Sequence, residues 1–286
     1  MIVAPEEVKE GDDQLNEYRL SRNEQDLAVI AKFRMFDDTF MSAVFDGQIA
    51  ETELLLRIVL EREDIIVISS KAQYFISNVY GREARLDIYA KDRVGNVYHV
   101  EVQRDLKGAS VQRARFIGAL VDGQLVKKGQ NPQEIPDRYT VFITEEDMFG
   151  KGLPAYHAEN RVTELGFAPL GDGSHIVYIN GQYRNTETPI GQLMHDFSCT
   201  KPEDIINPVL RERVRYLKEK EGGLTEMCEL MDEWMEKRVN ERTVELAKQA
   251  IIDGDIPLSR VAKLFQLPIS FVEELAKSIV VVPQNQ

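Results

Sequence analysis

The stretch from Arg85 to Gln103, RLDIYAKDRVGNVYHVEVQ, contains two alternating runs of apolar and polar residues separated by a short polar segment. Alternation with a period of two is typical of a half-buried β-strand. The intervening segment contains Gly95 and Asn96, which favour a turn. The stretch therefore predicts an antiparallel hairpin with a loop of about five residues centred on Val94.

The expected hairpin sorts its side chains onto two chemically different faces. In the register centred on Val94, Arg85 faces Gln103 and Asp87 faces Glu101. The apolar face carries Leu86, Ile88, Ala90, Tyr98, Val100 and Val102. The polar face carries Arg85, Asp87, Tyr89, His99, Glu101 and Gln103. We expect the first face to pack on a core and the second face to carry the chemistry.

Two carboxylates of the polar face make it a candidate metal site. In this register the Cβ atoms of Asp87 and Glu101 lie about 4.5–5.5 Å apart, and two like charges so close repel unless a cation lies between them. Both carboxylates and the backbone carbonyl of Val102 are oxygen ligands of the kind that Mg²⁺ or Mn²⁺ prefers. The Gln103 amide can orient a water or contact a phosphate but cannot act as a general base. A second interpretation stays open, in which this face is the solvated side of an ordinary hairpin.

The segments around the hairpin predict a mixed α/β (α+β) protein. Leu54, Leu55, Ile58 and Val59 form a helical stripe, so one or two helices precede the hairpin. A helix is predicted over residues 110–127. Further strands are predicted from IIVISS at 65–70, QYFISNVYG at 73–81, YTVFIT at 139–144 and HIVYING at 175–181. This order of elements favours one sheet packed against helices.

The C-terminal part of the chain is expected to be all-helical. A break is predicted at Gly222 and Gly223, and turns at Gly254 and Pro268 give the following helices the spacing of a helix-turn-helix. Residues 224–286 carry eleven acidic and seven basic side chains, which is poor for contact with DNA. We expect them to pack or self-associate, with a homodimer as one outcome. The expected regions are a flexible acidic tail at 1–22, a core at 23–200, a helical connector at 201–223 and a helical region at 224–286.

Composition and charge limit the possible functions. The chain has 286 residues, 43% of them hydrophobic, and a formal net charge of −13, which exclude a mainly disordered protein and a polycation that binds nucleic acid by bulk charge. Residues 82–128 nevertheless carry ten basic and six acidic side chains, so a basic patch surrounds the candidate site. We expect contacts with a nucleic-acid backbone from Arg85, Arg104, Arg113 and Arg115.

Several other features point to a reduced, membrane-free setting. No run approaches the roughly 18 apolar residues of a membrane span, and the first residues lack a basic and apolar leader, so we expect a cytoplasmic protein without a membrane partner. Cys199 and Cys228 are expected to be reduced and buried, without a neighbouring histidine at ligand spacing. The four histidines show no paired-ligand spacing, and His99 is expected to be a surface histidine that could lie near the metal.

A longer set of motifs resembles the PD-(D/E)xK nuclease superfamily, specifically its transposase and recombination-promoting nuclease branch. The motifs are RLDIYAKDRVGNVYHVEVQR, QRARF, YTVFITEEDMFGKGLPAYH and GDGSHIVYINGQY, with LMHDFSCT and RVRYLKEKEGG further along. The resemblance covers roughly residues 37–235. It implies a restriction-endonuclease-like mixed sheet flanked by helices, an active site on a strand hairpin, and metal-dependent cleavage of DNA phosphodiester bonds.

The resemblance also assigns roles to residues of the hairpin. Asp87 matches the family aspartate, Glu101 matches the second acidic position, and Gln103 stands where the usual signature has lysine. Without the lysine ammonium, the metal and a nearby arginine have to supply that positive charge. An acidic residue of the first helix often completes such sites. Among the candidates here, Glu53 is favoured over Glu51 and Asp38.

Three functions follow from these features. The leading hypothesis is a Mg²⁺- or Mn²⁺-dependent DNA endonuclease in which Asp87 and Glu101 bind the metal and Gln103 positions water or phosphate. The first alternative is a catalytically weak or inactive nuclease-fold protein that binds nucleic acid or a protein partner. The second is a regulatory DNA-binding protein led by its C-terminal helices, which predicts loss of DNA binding when residues after about 224 are removed.

Overall fold

A computed structural model of the chain describes residues 26–77, 83–126, 129, 131–254 and 256–280. The tail expected at 1–22 lies outside these residues. The chain divides into two units, one up to Cys228 and one from Glu229, and each is described by itself.

Six strands of the first unit form one mixed sheet. The strands are β1 (Val67–Ser77), β2 (Glu83–Asp92), β3 (Val97–Gln103), β4 (Arg138–Thr144), β5 (Ala155–Ala158) and, after two short strands, β8 (Ser174–Asn180). Their order is β1-β2-β3-β4-β8-β5. Strands β1 to β3 are antiparallel, β3, β4 and β8 are parallel, and β5 runs antiparallel to β8. The two short strands, β6 (Arg161–Val162) and β7 (Ala168–Pro169), form a separate small sheet.

Helices flank this sheet, which confirms the predicted mixed α/β class. The helices of the first unit are α1 (Asp38–Phe45), α2 (Ile49–Leu60), α3 (Val111–Leu125), α4 (Pro189–Ser198) and α5 (Pro208–Glu219). Polar side chains cap three of them: Ser110 accepts from the third residue of α3, Thr188 caps α4 and Asn207 caps α5. In the described residues, no helix is long and apolar enough to cross a membrane.

The hairpin of β2 and β3 has the predicted register. Ile88 lies opposite Val100, and Tyr89 lies opposite His99. The apolar face is core, because Leu86, Ile88, Ala90, Tyr98 and Val100 are fully buried. The interpretation of the other face as the solvated side of an ordinary hairpin is wrong.

That polar face is covered by a second layer of the protein. His99 and Glu101 are 0% exposed. Phe142, the β4 neighbour of Glu101, packs with Ala109 and with Ala114 of α3, so the start of this helix helps to cover the face. The carboxylates of the candidate site therefore lie in a low-dielectric setting, where electrostatic interactions are strong.

Strand β1 differs from the prediction of two separate strands. It is one strand with a bulge between Val67 and Ser69, and Gln73 has a φ of 50°. These irregularities let a single strand follow β2 along its length despite the interrupted sequence pattern. The end of the second predicted strand, at 78–81, lies outside the described residues.

Strand β1 is also an edge of the sheet, and side chains from the preceding helices bind its backbone. The Val67 N–H donates to the Glu53 carboxylate at 2.9 Å, and the Ala72 N–H donates to the Asp46 carboxylate at 2.8 Å. The edge thus has charged partners for backbone groups that no neighbouring strand satisfies.

The predicted break at Gly222 and Gly223 is displaced. Helix α5 ends at Glu219 and helix α6 (Glu221–Asp253) begins two residues later, so both glycines lie in the first turn of α6. A Cβ on Gly223 would lie 2.0 Å from the carbonyl oxygen of Tyr216. These glycines therefore allow close backbone approach at the junction, which is a different use from ending a helix.

The second unit is helical, as the sequence predicts. After the end of α6 come α7 (Leu258–Leu264) and α8 (Ile269–Val280). Gly254 has a φ of 71°, which fits its predicted place in a turn. The helices pack through a small apolar cluster made of Ala247, Val261, Ala262, Val272 and Leu275.

Candidate functional site

The candidate site lies where the backbone pairing of β2 with β3 ends. That pairing runs from Lys91 with Val97 to Ile88 with Val100. One step further, the Asp87 carboxylate accepts a hydrogen bond from the Val102 N–H at 2.8 Å. The carboxylates of β2 and β3 therefore meet at a corner of the sheet, where side chains replace the backbone ladder.

The second carboxylate of this corner, that of Glu101, has four neighbours, one of which is the Asp87 N–H at 3.4 Å from Oε1. The Oε1 atom of Glu101 lies 2.7 Å from His99 Nε2. Its Oε2 atom accepts from Arg113 Nη2 at 3.0 Å and from Gln103 Nε2 at 3.3 Å. Although burial acts to raise the pKa of Glu101, the contacts with His99 and then Arg113 outweigh it and lower the pKa below its usual value.

Asp87 is in the opposite electrostatic situation. Asp87 is only 7% exposed. Its burial raises the pKa of its carboxyl well above the usual value, and the nearby charge of Glu101 adds to this rise. Asp38 adds to this effect, whereas Arg85 opposes it. A positive charge added near Asp87 would therefore stabilise its ionised carboxylate.

The corner opens into a cavity of about 740 Å³. Its polar lining includes Asp38, Arg85, Asp87, Gln103, Arg104 and Arg113. Val102 also lines it. Because N–H and C=O of one extended residue point to the same side of a strand, the carbonyl of Val102 faces Asp87 as its N–H does.

The donor set of this corner fits a hard divalent cation. Asp87, Glu101 and the Val102 carbonyl are all oxygen ligands. Asp87 keeps free lone pairs, whereas a cation at Glu101 would replace one of the donors that its oxygens already accept. A doubly charged ion would also remove the repulsion that raises the pKa of Asp87. These three residues are the ones that would hold Mg²⁺ or Mn²⁺.

His99 is not the surface residue expected from the sequence. It is 0% exposed, and its ring meets Phe142 edge-on at 6.4 Å between centroids. Its Nδ1 atom is buried without a hydrogen-bond partner in the described part of the chain. Because Nε2 contacts Glu101, the structural role of His99 is to orient that carboxylate from below the cavity.

Three of the four predicted phosphate-binding arginines line the cavity. Arg85 pairs with Asp38 at 3.1 Å, Arg104 pairs with Asp37 at 3.0 Å, and Arg113 contacts Glu101. The pairs of Arg85 and Arg104 are partly exposed and therefore weak, so a phosphate can replace the carboxylate partner.

The fourth arginine is elsewhere. Arg115 lines a separate cavity of about 420 Å³ together with Asp122 and Arg138, and its contact with a nucleic-acid backbone stays a prediction. Arg113 and Arg115 line different cavities because residues two positions apart on a helix do not share a face. Arg82, Lys127 and Lys128 of the predicted basic patch lie outside the described residues.

Of the three acidic candidates from the first helices, only Asp38 lines the cavity. Glu53 bonds the Val67 N–H and pairs with Arg57 at 2.7 Å, so the structure does not bring this favoured candidate to the cavity. Glu51 does not line the cavity either. Asp38, at the start of α1, lines the cavity and contacts Arg85.

Gln103 is held in place by a glycine. A Cβ on Gly108 would lie 1.9 Å from Gln103 Oε1, so the amide packs directly on the bare backbone of that residue. With its nitrogen directed at Glu101, the amide is fixed between the acidic pair and the loop that follows β3.

We expect Gly108→Ala to displace the Gln103 amide with little effect on stability. The added Cβ would meet the end of the flexible Gln103 side chain, which can rotate away. Cleavage activity should fall about 10-fold or more, as expected for a misplaced group at a reacting centre. Gly123→Ala is the matched control, since a Cβ there meets nothing within 4 Å. Equal activity in both variants would contradict a role for the Gln103 position.

A second cluster lies at the end of α4 and corrects the expectation for the cysteines. Cys199 and Cys228 are both half-buried. Cys199 Sγ lies 3.6 Å from His195 Nδ1, so a histidine does stand at ligand spacing. The separation of four residues in HDFSC is the sequence signal that reveals it.

Comparisons with known proteins identify no relative of the chain. No family model, curated protein or solved structure matches the chain. What the fold and the corner define is an oxygen-rich acidic site, beside arginines, on a mixed α/β sheet.

Proposed function

We propose that the chain is a metal-dependent DNA endonuclease with a restriction-endonuclease-like core, of the PD-(D/E)xK type. One observation carries the proposal: Asp87, which lies beside the fully buried Glu101, lines a cavity at the open end of the hairpin that three arginines also line. An acidic pair alone repels a phosphate, whereas an acidic pair with a divalent cation and arginines attracts one.

The residues of the corner have distinct roles in this proposal. Asp87, Glu101 and the Val102 carbonyl would hold Mg²⁺ or Mn²⁺. The bound ion supplies Lewis-acid stabilisation of the charge that develops on the phosphate. His99 keeps the Glu101 carboxylate oriented, and the two contacts of Gln103 place its amide beside the same carboxylate, where it can orient a water.

Arg113 replaces part of the charge that a lysine would supply. Its guanidinium lies 3.0 Å from Glu101 and also lines the cavity, so it is positioned between the acidic pair and an approaching phosphate. Guanidinium groups match phosphate oxygens in a bidentate manner. Arg85 and Arg104, at the same cavity, can bind the neighbouring backbone phosphates.

The direct test is cleavage of supercoiled plasmid DNA by the full chain with Mg²⁺, Mn²⁺ or EDTA. We expect nicked and then linear DNA with either metal and intact DNA with EDTA. An Asp87→Ala variant purified in parallel controls for contaminating nucleases. Absence of cleavage with both metals, combined with metal-independent DNA binding, would replace the proposal with the binding-only alternative.

The identity of the third acid gives a separate prediction. Asp38→Asn should reduce cleavage about 10-fold or more, because it removes a charge at the cavity and frees Arg85. Glu53→Gln should keep the rate of cleavage and lower thermal stability, since Glu53 bonds the backbone of β1. Initial rates and melting temperatures of both variants check this. Loss of activity in Glu53→Gln but not in Asp38→Asn would instead identify Glu53 of α2 as the third acid.

A further inference from the structure

The end of helix α4 brings three potential metal ligands together, apart from the acidic pair. His195, Asp196 and Cys199 each offer one ligand atom, and these three atoms lie within 4.8 Å of one another. The Nδ1 atom is 3.3 Å from Asp196 Oδ1 and 3.6 Å from Cys199 Sγ. One imidazole, one carboxylate and one thiol therefore converge at a single point.

These separations match the edges of a tetrahedral zinc site. With usual zinc bond lengths, tetrahedral geometry places a nitrogen about 3.3 Å from an oxygen ligand and about 3.6 Å from a sulfur ligand. Both distances agree with those measured from His195. A mixed nitrogen, sulfur and oxygen donor set also favours zinc over the magnesium expected at the oxygen-only corner.

Asp196 is oriented by the backbone in the way that metal-binding carboxylates usually are. It is 0% exposed, its Oδ1 accepts from the Ile206 N–H at 2.7 Å, and its Oδ2 accepts from the Asn207 N–H at 2.9 Å. Such partners fix a ligand while leaving a lone pair for the metal. The same contacts join the end of α4 to the start of α5.

The cluster is open to solvent on one side and is poorly suited to act as a nucleophile. The His195 side chain is 36% exposed, so an ion can reach Nδ1. In a cysteine–histidine–aspartate catalytic set, the thiol and the carboxylate contact different ring nitrogens. Here both contact Nδ1, which suits shared coordination of one ion.

We propose that His195, Asp196 and Cys199 form a zinc site at the end of α4, with water in the fourth position. Binding releases the thiol proton of Cys199 to solvent and leaves a zinc thiolate. The proposal is independent of the nuclease function, because it uses none of the residues of the acidic corner.

The test uses the full chain, stripped of metal by a chelator and titrated with Co²⁺ as a spectroscopic substitute for zinc. Wild type, Asp87→Asn and Cys228→Ser should all develop the near-ultraviolet band of a cobalt–thiolate bond, and Cys199→Ser should lack it. Zinc at about 100 times its dissociation constant should raise the melting temperature of wild type by about 5 °C. It should leave that of Cys199→Ser unchanged.

His195→Gln keeps the test decisive if Cys199→Ser does not fold by circular dichroism. Loss of this half-exposed ligand should weaken Co²⁺ binding at least about 10-fold. No band in wild type, an equal band in Cys199→Ser, undiminished binding by His195→Gln or loss of the band in Cys228→Ser would overturn the zinc site. The acidic corner contains no thiol and cannot give this band, so loss of the band in Asp87→Asn would also overturn the site at Cys199.

Discussion

Replacing either carboxylate of the buried pair, by Asp87→Asn or Glu101→Gln, is expected to reduce DNA cleavage about 1,000-fold, which corresponds to about 4 kcal/mol of transition-state stabilisation. Each amide keeps the size of the side chain and an oxygen that can accept a hydrogen bond, so the Val102 contact of Asp87 can persist. What is lost is the negative charge that binds a cation. Initial nicking rates at saturating Mg²⁺ measure the effect.

The matched control for this pair is Glu164→Gln. Glu164 is an exposed acid in the short segment between β6 and β7, and it should keep the wild-type rate. Circular dichroism and melting curves establish that all three variants are folded. A rate within 2-fold of wild type for Asp87→Asn would remove that residue from the reacting centre.

The largest expected loss of stability comes from Lys218 on α5. Its Nζ donates to the carbonyl oxygens of Phe33 at 2.6 Å, Thr200 at 2.5 Å and Ala31 at 3.2 Å, and lies 4.8 Å from the ring centroid of Phe40. Lys218→Met keeps the alkyl bulk but leaves these acceptors without their donor. We expect a loss of about 3 kcal/mol of unfolding free energy.

Urea unfolding followed by circular dichroism measures this loss. Lys220→Met, two residues along the same chain segment at an exposed position, is the control and should change stability by less than about 0.5 kcal/mol. Equal midpoints for the two variants would show that the three carbonyls find other partners, such as water.

The hairpin could be predicted from the sequence because its signal is local. Alternation places Ile88 opposite Val100, and a shift of one residue would turn every buried side chain outward, so the register is strongly specified. The same argument brings Asp87 and Glu101 together. Burial of their face could not be predicted, because it depends on Phe142 and Ala114, which come from distant parts of the chain.

The third acid shows where sequence reasoning reaches its limit. Glu53 and Asp38 both belong to helices that precede the hairpin, and both have the right chemistry. Which one enters the cavity depends on how those helices pack against β1 and β2, a tertiary property without a local pattern. The ion pair of Asp38 with Arg85 joins residues 47 positions apart.

The cysteine cluster was missed for a different reason. His195 and Cys199 have the spacing of neighbours on one helical face, and this signal is present in the sequence. Asp196 adds a ligand only because the chain returns at Ile206 and Asn207 to orient its carboxylate. The pair was predictable, whereas the third donor needed the turn between two helices.

The charged partners along β1 have a consequence for how the protein behaves in a crowded solution. The unpaired backbone groups of an open sheet edge can bind a strand of another molecule. The side chains of Ile68 and Phe75 on this strand are more than half exposed. Glu53 and Asp46 accept hydrogen bonds from the N–H groups of Val67 and Ala72, so these two donors are already used and cannot pair with an incoming strand. These two acids therefore oppose the addition of a further strand at this edge of the sheet.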